Sequence, residues 1–187
     1  MNKAVFLDKD GTLIPDIPYN IEPSLITIQP DTIEGLRLLY ENGYRLIVVS
    51  NQSGVARGMF SEDKLEGVFS RLSELLLLYH IKLDAYYYCP HHPDGKMLNY
   101  SFNCDCRKPK PGMLLTAAKK HHIDLSQSWM IGDILNDVEA GNCAGCKTIL
   151  IDNGNETEWL PGVMRTPLIT CKSINQATAY IVSGLII

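Results

Sequence analysis

Short apolar runs alternate with helical stretches along the whole chain, and that alternation leaves few folds open. Strand-like runs occupy 4–7, 44–50, 84–89, 128–132, 147–151 and 168–170. Between them, apolar residues recur at helical spacing. Ile33, Leu36, Leu39 and Tyr40 mark one helix over 32–42, stopped by Gly43. A second is expected to be capped by Ser61, with Glu62 and Asp63 in its first turn and Leu65, Val68, Phe69, Leu72, Leu75 and Leu76 on its inner face. Pro111 opens a third that reaches about His121, and shorter helices are expected over 136–142 and from Ser173. Strands separated by helices pair in parallel through right-handed crossovers. The expected fold is therefore α/β: a Rossmann-like three-layer αβα sandwich around a mainly parallel sheet. One domain over 1–187 is expected, with no large inserted cap; only 12–31 and the loop over about 89–106 could cover a site.

Composition narrows the function classes. The chain has 187 residues, 45% of them hydrophobic and 20% charged, with a net charge of −4. Mild acidity disfavours broad binding to nucleic acid or anionic membranes. Met1-Asn2-Lys3 leads directly into the first strand, so no signal peptide is expected. The longest apolar run, 75–79, is too short to span a bilayer, and the apolar end 180–187 is expected to dock on the core. The reading is a cytoplasmic protein, expected to be a monomer. Six cysteines there suggest metal or buried thiols before disulfides. Cys143, Cys146 and Cys171 are expected to be small core or helix-end residues.

The polar residues that stand out all lie next to strand ends. Asp8 and Asp10 follow the first strand with one residue between them, so both face one side, and Gly11 lets the chain turn away. Two like charges so close repel, and a divalent cation relieves them. A solvated turn would share this pattern. Ser50-Asn51-Gln52-Ser53-Gly54 follows the second strand, Arg107-Lys108-Pro109-Lys110 precedes the third helix, and Gly132-Asp133 with Asp137 follows the fourth strand. A parallel sheet gathers its strand ends at one edge, where open α/β sheets place their chemistry. Alone, Ser50 reads more often as a plain cap and Lys108 as a surface lysine, and Asp137 reads equally as a helix-surface acid. Farther along, Cys89-x-His91 and Cys104-x-Cys106 flank twelve residues with little apolar content. Three thiols and an imidazole suit a closed tetrahedral Zn²⁺ site, or they are two unrelated pairs. His92 is not expected to be a ligand.

The set of a DxDGT strand exit, a strand-terminal serine, a lysine before a helix and a GDxxxD segment resembles the haloacid dehalogenase-like superfamily of phosphohydrolases. The resemblance runs the length of the chain. It is sharpest at 50–58, 89–93 and 104–109, which resemble the branch acting on heptose bisphosphates and histidinol phosphate. It implies Asp8 as nucleophile, Asp10 as general acid and base, and Ser50 with the following N–H groups and Lys108 as holders of the phosphoryl group. Mg²⁺ is implied on Asp8, the Asp10 carbonyl and Asp133, with Asp137 supporting the metal or orienting Lys108. The zinc reading becomes a structural zinc loop over 89–106 held by Cys89, His91, Cys104 and Cys106. For the substrate, a small phosphorylated metabolite of the sugar-bisphosphate type, the implied contacts are Asp16, Tyr19, Asn51, Ser53, Arg57, Arg107 and Lys110. Ser53, where histidinol-phosphate enzymes more often carry an acid, favours the heptose branch. Ile134 departs from it, since heptose enzymes can carry a lysine there. A phosphotransferase and a non-catalytic zinc-stabilised binding module of the same fold are the alternatives. The presence of both Asp8 and Asp10 disfavours the second.

Overall fold

In a computed structural model, which describes residues 1–184, strand β1 (Ala4–Leu7) lies at the centre of a six-stranded sheet. Its companions are β2 (Arg45–Asn51), β3 (Ala85–Cys89), β4 (Trp129–Gly132), β5 (Lys147–Ile151) and β6 (Ile169–Cys171), in the spatial order β3-β2-β1-β4-β5-β6. Every pairing of neighbours is parallel, with Phe6 beside Ile47 on one side and Met130 on the other. The chain winds from β1 towards β3, then crosses back to β4 and continues outward. Strand order therefore reverses between β1 and β4, and the carboxyl ends of these two strands flank the crevice that such a reversal opens.

The helices are α1 (Pro30–Glu41), α2 (Lys64–Leu77), α3 (Gly112–His121), α4 (Leu135–Ala144) and α5 (Ile174–Ser183). Alternation along the strands sorts the core into two layers. Val5, Leu7, Leu46 and Val48 pack against Leu36, Leu39, Leu72 and Ala177 of α1, α2 and α5. Their neighbours Ala4, Phe6, Ile47 and Val49 face Met113, Leu114, Ala117 and Ala140 of α3 and α4. This is the expected three-layer sandwich.

Of the residues at helical spacing in α1, Ile33, Leu36 and Leu39 are buried and Tyr40 is exposed. One local expectation is corrected. Helix α2 begins at Lys64, three residues after Ser61. The segment 61–63 closes instead as tight turns, from Lys64 N to Ser61 O and Leu65 N to Glu62 O. The two carboxylate oxygens of Glu62 accept the hydroxyls of Tyr88 and Tyr100, at 2.9 and 2.7 Å. Tyr180, Ile181 and Val182 do pack on the core; the remaining apolar end, 185–187, lies outside the described residues.

Candidate active site

Asp8 leaves the sheet one residue past β1, and Asp133 one residue past the neighbouring β4. Behind Asp8 the chain must reverse at once. Gly11 does so at φ +80°, and its N–H donates to Ile14 O at 2.9 Å. A Cβ on Gly11 would overlap the Asp133 carboxylate, so this turn also needs the space that only glycine leaves.

Lys108 comes from the opposite side and is almost completely buried between these acids. Its ammonium pairs with Asp8 Oδ1 at 2.5 Å and Asp137 Oδ1 at 2.6 Å, and donates to Val49 O at 2.9 Å. Burial alone would lower its pKa, but Asp137 and Asp8 outweigh it and hold the lysine above its usual range. Asn51 fixes the lysine's backbone, donating to Lys108 O at 3.0 Å and accepting from Lys108 N at 3.1 Å. Lys108 is thus no surface lysine and Asp137, with no exposed surface, no surface acid. Ser50, 1% exposed, is no simple cap; its hydroxyl accepts from Gln52 Nε2 at 2.8 Å.

The acids carry more charge than the protein offsets. Asp10 pairs with the buried Lys9 at 2.6 Å and accepts from Gln52 at 3.1 Å. Burial nevertheless raises its pKa, against Lys9 and with help from Asp8. Among the described residues, Asp133 has only neutral side-chain donors, Thr12 Oγ1 at 2.9 Å and Asn155 Nδ2 at 2.7 Å, and burial with the Asp8 charge pushes it to about 6. Burial lifts Asp137 to about 7 despite Lys108. Four carboxylates (Asp8, Asp10, Asp133, Asp137) face two ammonium groups (Lys9, Lys108). When all are ionised the deficit is two charges, which one divalent cation would neutralise. Oxygens of Asp8, Asp133 and Asp137 lie within 4.8 Å of one another, and hard carboxylate donors of that kind suit such an ion.

Asp8, Asp10, Ser50, Asn51, Lys108 and Asp133 line a cavity of about 210 Å³, which Asp16 also borders. An adjoining hollow of about 280 Å³ is walled by Asp16, Tyr19, Gln52 and Ser53. On the other side of Lys108 a third, of about 380 Å³, carries Arg107 and Lys110. Lys110 reaches Asp105 at 3.2 Å and is half exposed. Arg57 is not on these walls; its Nη2 lies 3.2 Å from His92 Nε2.

Beyond the third cavity, Cys89, His91, Cys104 and Cys106 converge. Sulfur–sulfur separations are 3.0–3.4 Å, and His91 Nδ1 is 3.7 and 3.3 Å from Cys89 and Cys106. A tetrahedral ion with ligand bonds near 2.3 Å spaces its sulfurs at about 3.8 Å, close to this arrangement. Hydrogen bonds from Cys89, Cys104 and His91 pull Cys106 down to about 5, while its bond to Cys106 and burial push Cys89 up. The cluster therefore offers a thiolate, and it could hold a metal ion. Its loop is tied to the body through Tyr100 and Glu62 and through Lys96 N to Ala56 O at 2.7 Å.

Known proteins share this organisation. A family model described as HAD-hydrolase-like matches residues 105–177. A D-glycero-β-D-manno-heptose-1,7-bisphosphate 7-phosphatase of Haemophilus influenzae is 46% identical over 155 residues, covering 82% of this chain and 84% of that protein. The enzyme so named from Escherichia coli K12 is 42% identical over 152 residues, covering 81% and 80%. The chain belongs to the haloacid dehalogenase-like phosphatase family. Among solved structures, D,D-heptose 1,7-bisphosphate phosphatase from B. bronchiseptica, complexed with magnesium and phosphate, superposes with a TM-score of 0.78 at 26% identity, covering 98% of this chain and 99% of that one.

Several residues of this haloacid dehalogenase-like site are not among those the sequence pattern singles out. Lys9 reads there as a mere spacer between two aspartates. Gln52 bridges Ser50 and Asp10, and its place in the run after β2 is the available signal. Thr12 and Asn155 hold Asp133, but Asn155 sits in a loop without a motif.

The buried lysine yields a prediction. Lys108→Met leaves Asp8 and Asp137 buried without their cation, which costs about 3–5 kcal/mol near neutral pH. The Asp137 carboxyl, already raised by burial, then rises further above its unfolded value, so stability retained at low pH is lost as pH rises through the folded value. Urea unfolding should show a deficit against wild type that is larger at pH 8 than at pH 5. A deficit independent of pH would contradict the charge account.

Proposed function

We propose that the protein is a Mg²⁺-dependent phosphomonoester hydrolase that removes the 7-phosphate of D-glycero-D-manno-heptose 1,7-bisphosphate, a step of heptose biosynthesis for lipopolysaccharide or nucleotide-heptose. The observation that carries the reaction class is the Asp8 carboxylate, anchored by Lys108 at the floor of a cavity it shares with Asp10, Ser50 and Asp133. The 46% identity to an enzyme named for that substrate supports the substrate class.

Asp8 attacks phosphorus, and the bond to the sugar oxygen breaks as the new P–O bond forms. Asp10 gives its proton to the departing alkoxide; its raised pKa favours the protonated start. The resulting carboxylate then takes a proton from the water that attacks the aspartyl phosphate, which releases phosphate and restores Asp8. The Ser50 hydroxyl and the Lys108 ammonium hold the phosphoryl oxygens where negative charge gathers. Asp137 acts through Lys108, whose position it shares with Asp8. Asp8, the Asp10 carbonyl and Asp133 would hold Mg²⁺, which when bound neutralises charge on the transferring group.

Charge decides where the rest of the substrate lies. The hollow with Asp16, Tyr19 and Ser53 carries no cation, so it suits sugar hydroxyls. The cavity with Arg107 and Lys110 suits the second phosphate. Arg57 would act from behind, through His92. Ile134 borders the first cavity and adds no charge where heptose enzymes can carry lysine, which leaves the far phosphate to the cations beside the cysteine cluster. That cluster we read as a structural Zn²⁺ site with four protein ligands and no open position for chemistry.

A screen of phosphate release over both anomers of the heptose bisphosphate, other sugar bisphosphates and histidinol phosphate, with Mg²⁺, tests the assignment. The heptose bisphosphate should give the highest kcat/KM; a preference for histidinol phosphate would overturn the substrate. An added alcohol acceptor should yield little phosphorylated product, whereas efficient transfer would make the enzyme a phosphotransferase. Arg107→Ala should raise KM for the bisphosphate more than for nitrophenyl phosphate, which has no second phosphate to lose. Equal losses on the two would remove Arg107 from specificity.

Metal analysis of the purified protein should find about one equivalent of Zn²⁺, matching the four-ligand set. Cys104→Ser should loosen 89–106 in hydrogen exchange while β1 and β4 stay protected. Zinc-free protein with unaltered stability would refute the structural site.

A further inference from the structure

After β5 the chain runs back over the active-site edge, and three side chains of 153–156 each grip a different part of it. Asn153 Nδ2 donates to Gly11 O at 2.6 Å, on the turn that follows Asp8 and Asp10. Asn155 Nδ2 donates to Asp133 Oδ2 at 2.7 Å. Glu156 Oε2 accepts from Leu135 N at 2.6 Å, at the first turn of the helix that carries Asp137. Leu135 is the first residue of a helix whose cap residue, Ile134, has no side-chain acceptor to offer, so Glu156 accepts its N–H from another element.

The segment is itself fastened. Asn155 N donates to Asn153 Oδ1 at 3.2 Å, and Glu156 Oε1 accepts from Glu158 N at 2.8 Å. Farther on, Arg165 binds Glu139 and Asn136 of α4 at 2.8 and 2.9 Å. Asn155 also presses against the Gly11 backbone closely enough that a Cβ there would overlap its amide. Its donor is therefore placed by the loop rather than by its own rotamer freedom.

We infer that Asn155 is a positioning residue for the catalytic cation: with Thr12 on Oδ1 and Asn155 on Oδ2, the Asp133 carboxylate is held beside Asp8 in the orientation a divalent ion requires, and the 153–156 strap locks the turn and the helix on either side. The inference rests on the reading of Asp133 as a Mg²⁺ ligand. An oxygen of a carboxylate has lone pairs for both a donor and an ion, so the amide need not leave when the ion arrives. Partners that orient a ligand from behind typically matter tenfold to a hundredfold in metal affinity.

The test is Mn²⁺ binding followed by electron paramagnetic resonance, counting the portion that disappears in Asp133→Asn. Asn155→Ala should weaken that binding about tenfold. Asn155→Leu, which fills similar space without a donor, should weaken it as much. In assays with either variant, activity lost at limiting Mg²⁺ should return as Mg²⁺ is raised. Unaltered Mn²⁺ affinity in both variants would overturn the inference. So would wild-type affinity in Asn155→Leu alone, because packing would then explain the residue. Failure of the wild type to bind Mn²⁺ at all would remove the catalytic-metal reading and this inference with it; intact wild-type binding with unaltered variants would remove only the inference.

Discussion

The buried ammonium of Lys108 is the interaction on which the site depends. Asp8 and Asp137 could not both stay ionised in the interior of this sheet edge without a cation between them. The lysine in turn stays buried and charged because those two acids and the Val49 carbonyl take its protons' directions. Asn51, at the end of β2, fixes its backbone from both sides. One side chain thus joins the exit of β1, the exit of β2 and the first turn of α4, and the order of the strands brings those three points within its reach.

What the lysine does not balance defines the chemistry. Asp133 retains a negative charge against neutral donors, and its raised pKa records the cost. A site that is electrostatically incomplete in this way suits a divalent cation and a phosphoryl group together, the ion meeting the acids and the phosphate meeting Lys108 and Ser50. Of the neighbouring cavities, the one beside the cysteine cluster adds Arg107 and Lys110 to Lys108, while the one walled by Asp16, Tyr19 and Ser53 has no cation among its described lining residues.

Much of this site is legible in the amino-acid sequence, for a physical reason. Asp8, Asp10, Ser50, Lys108, Asp133 and Asp137 each sit at a fixed offset from a strand or helix end, and a parallel sheet turns such offsets into spatial convergence. The cysteine cluster is legible because its members come as two close pairs. Side chains that arrive by long-range contact carry no such mark. Asn155 meets Asp133 from a loop whose neighbours show no periodicity, and Glu156 caps a helix that begins 21 residues earlier. Lys9 is hidden because a lysine between two aspartates reads as solvated, whereas here it is buried on Asp10. Glu62, read as a first-turn acid of α2, instead lies before it and accepts from Tyr88 and Tyr100, partners distant in sequence.

Asp8 should carry the phosphoryl group in the course of the reaction. Rapid acid quench of the enzyme with substrate labelled in the 7-phosphate, followed by peptide mapping, would detect it. A transient, hydroxylamine-labile acyl phosphate should appear on the peptide that contains Asp8 and be absent from Asp8→Asn. Full turnover with no label on the protein at any quench time, or label on a residue other than Asp8, would contradict this role for Asp8.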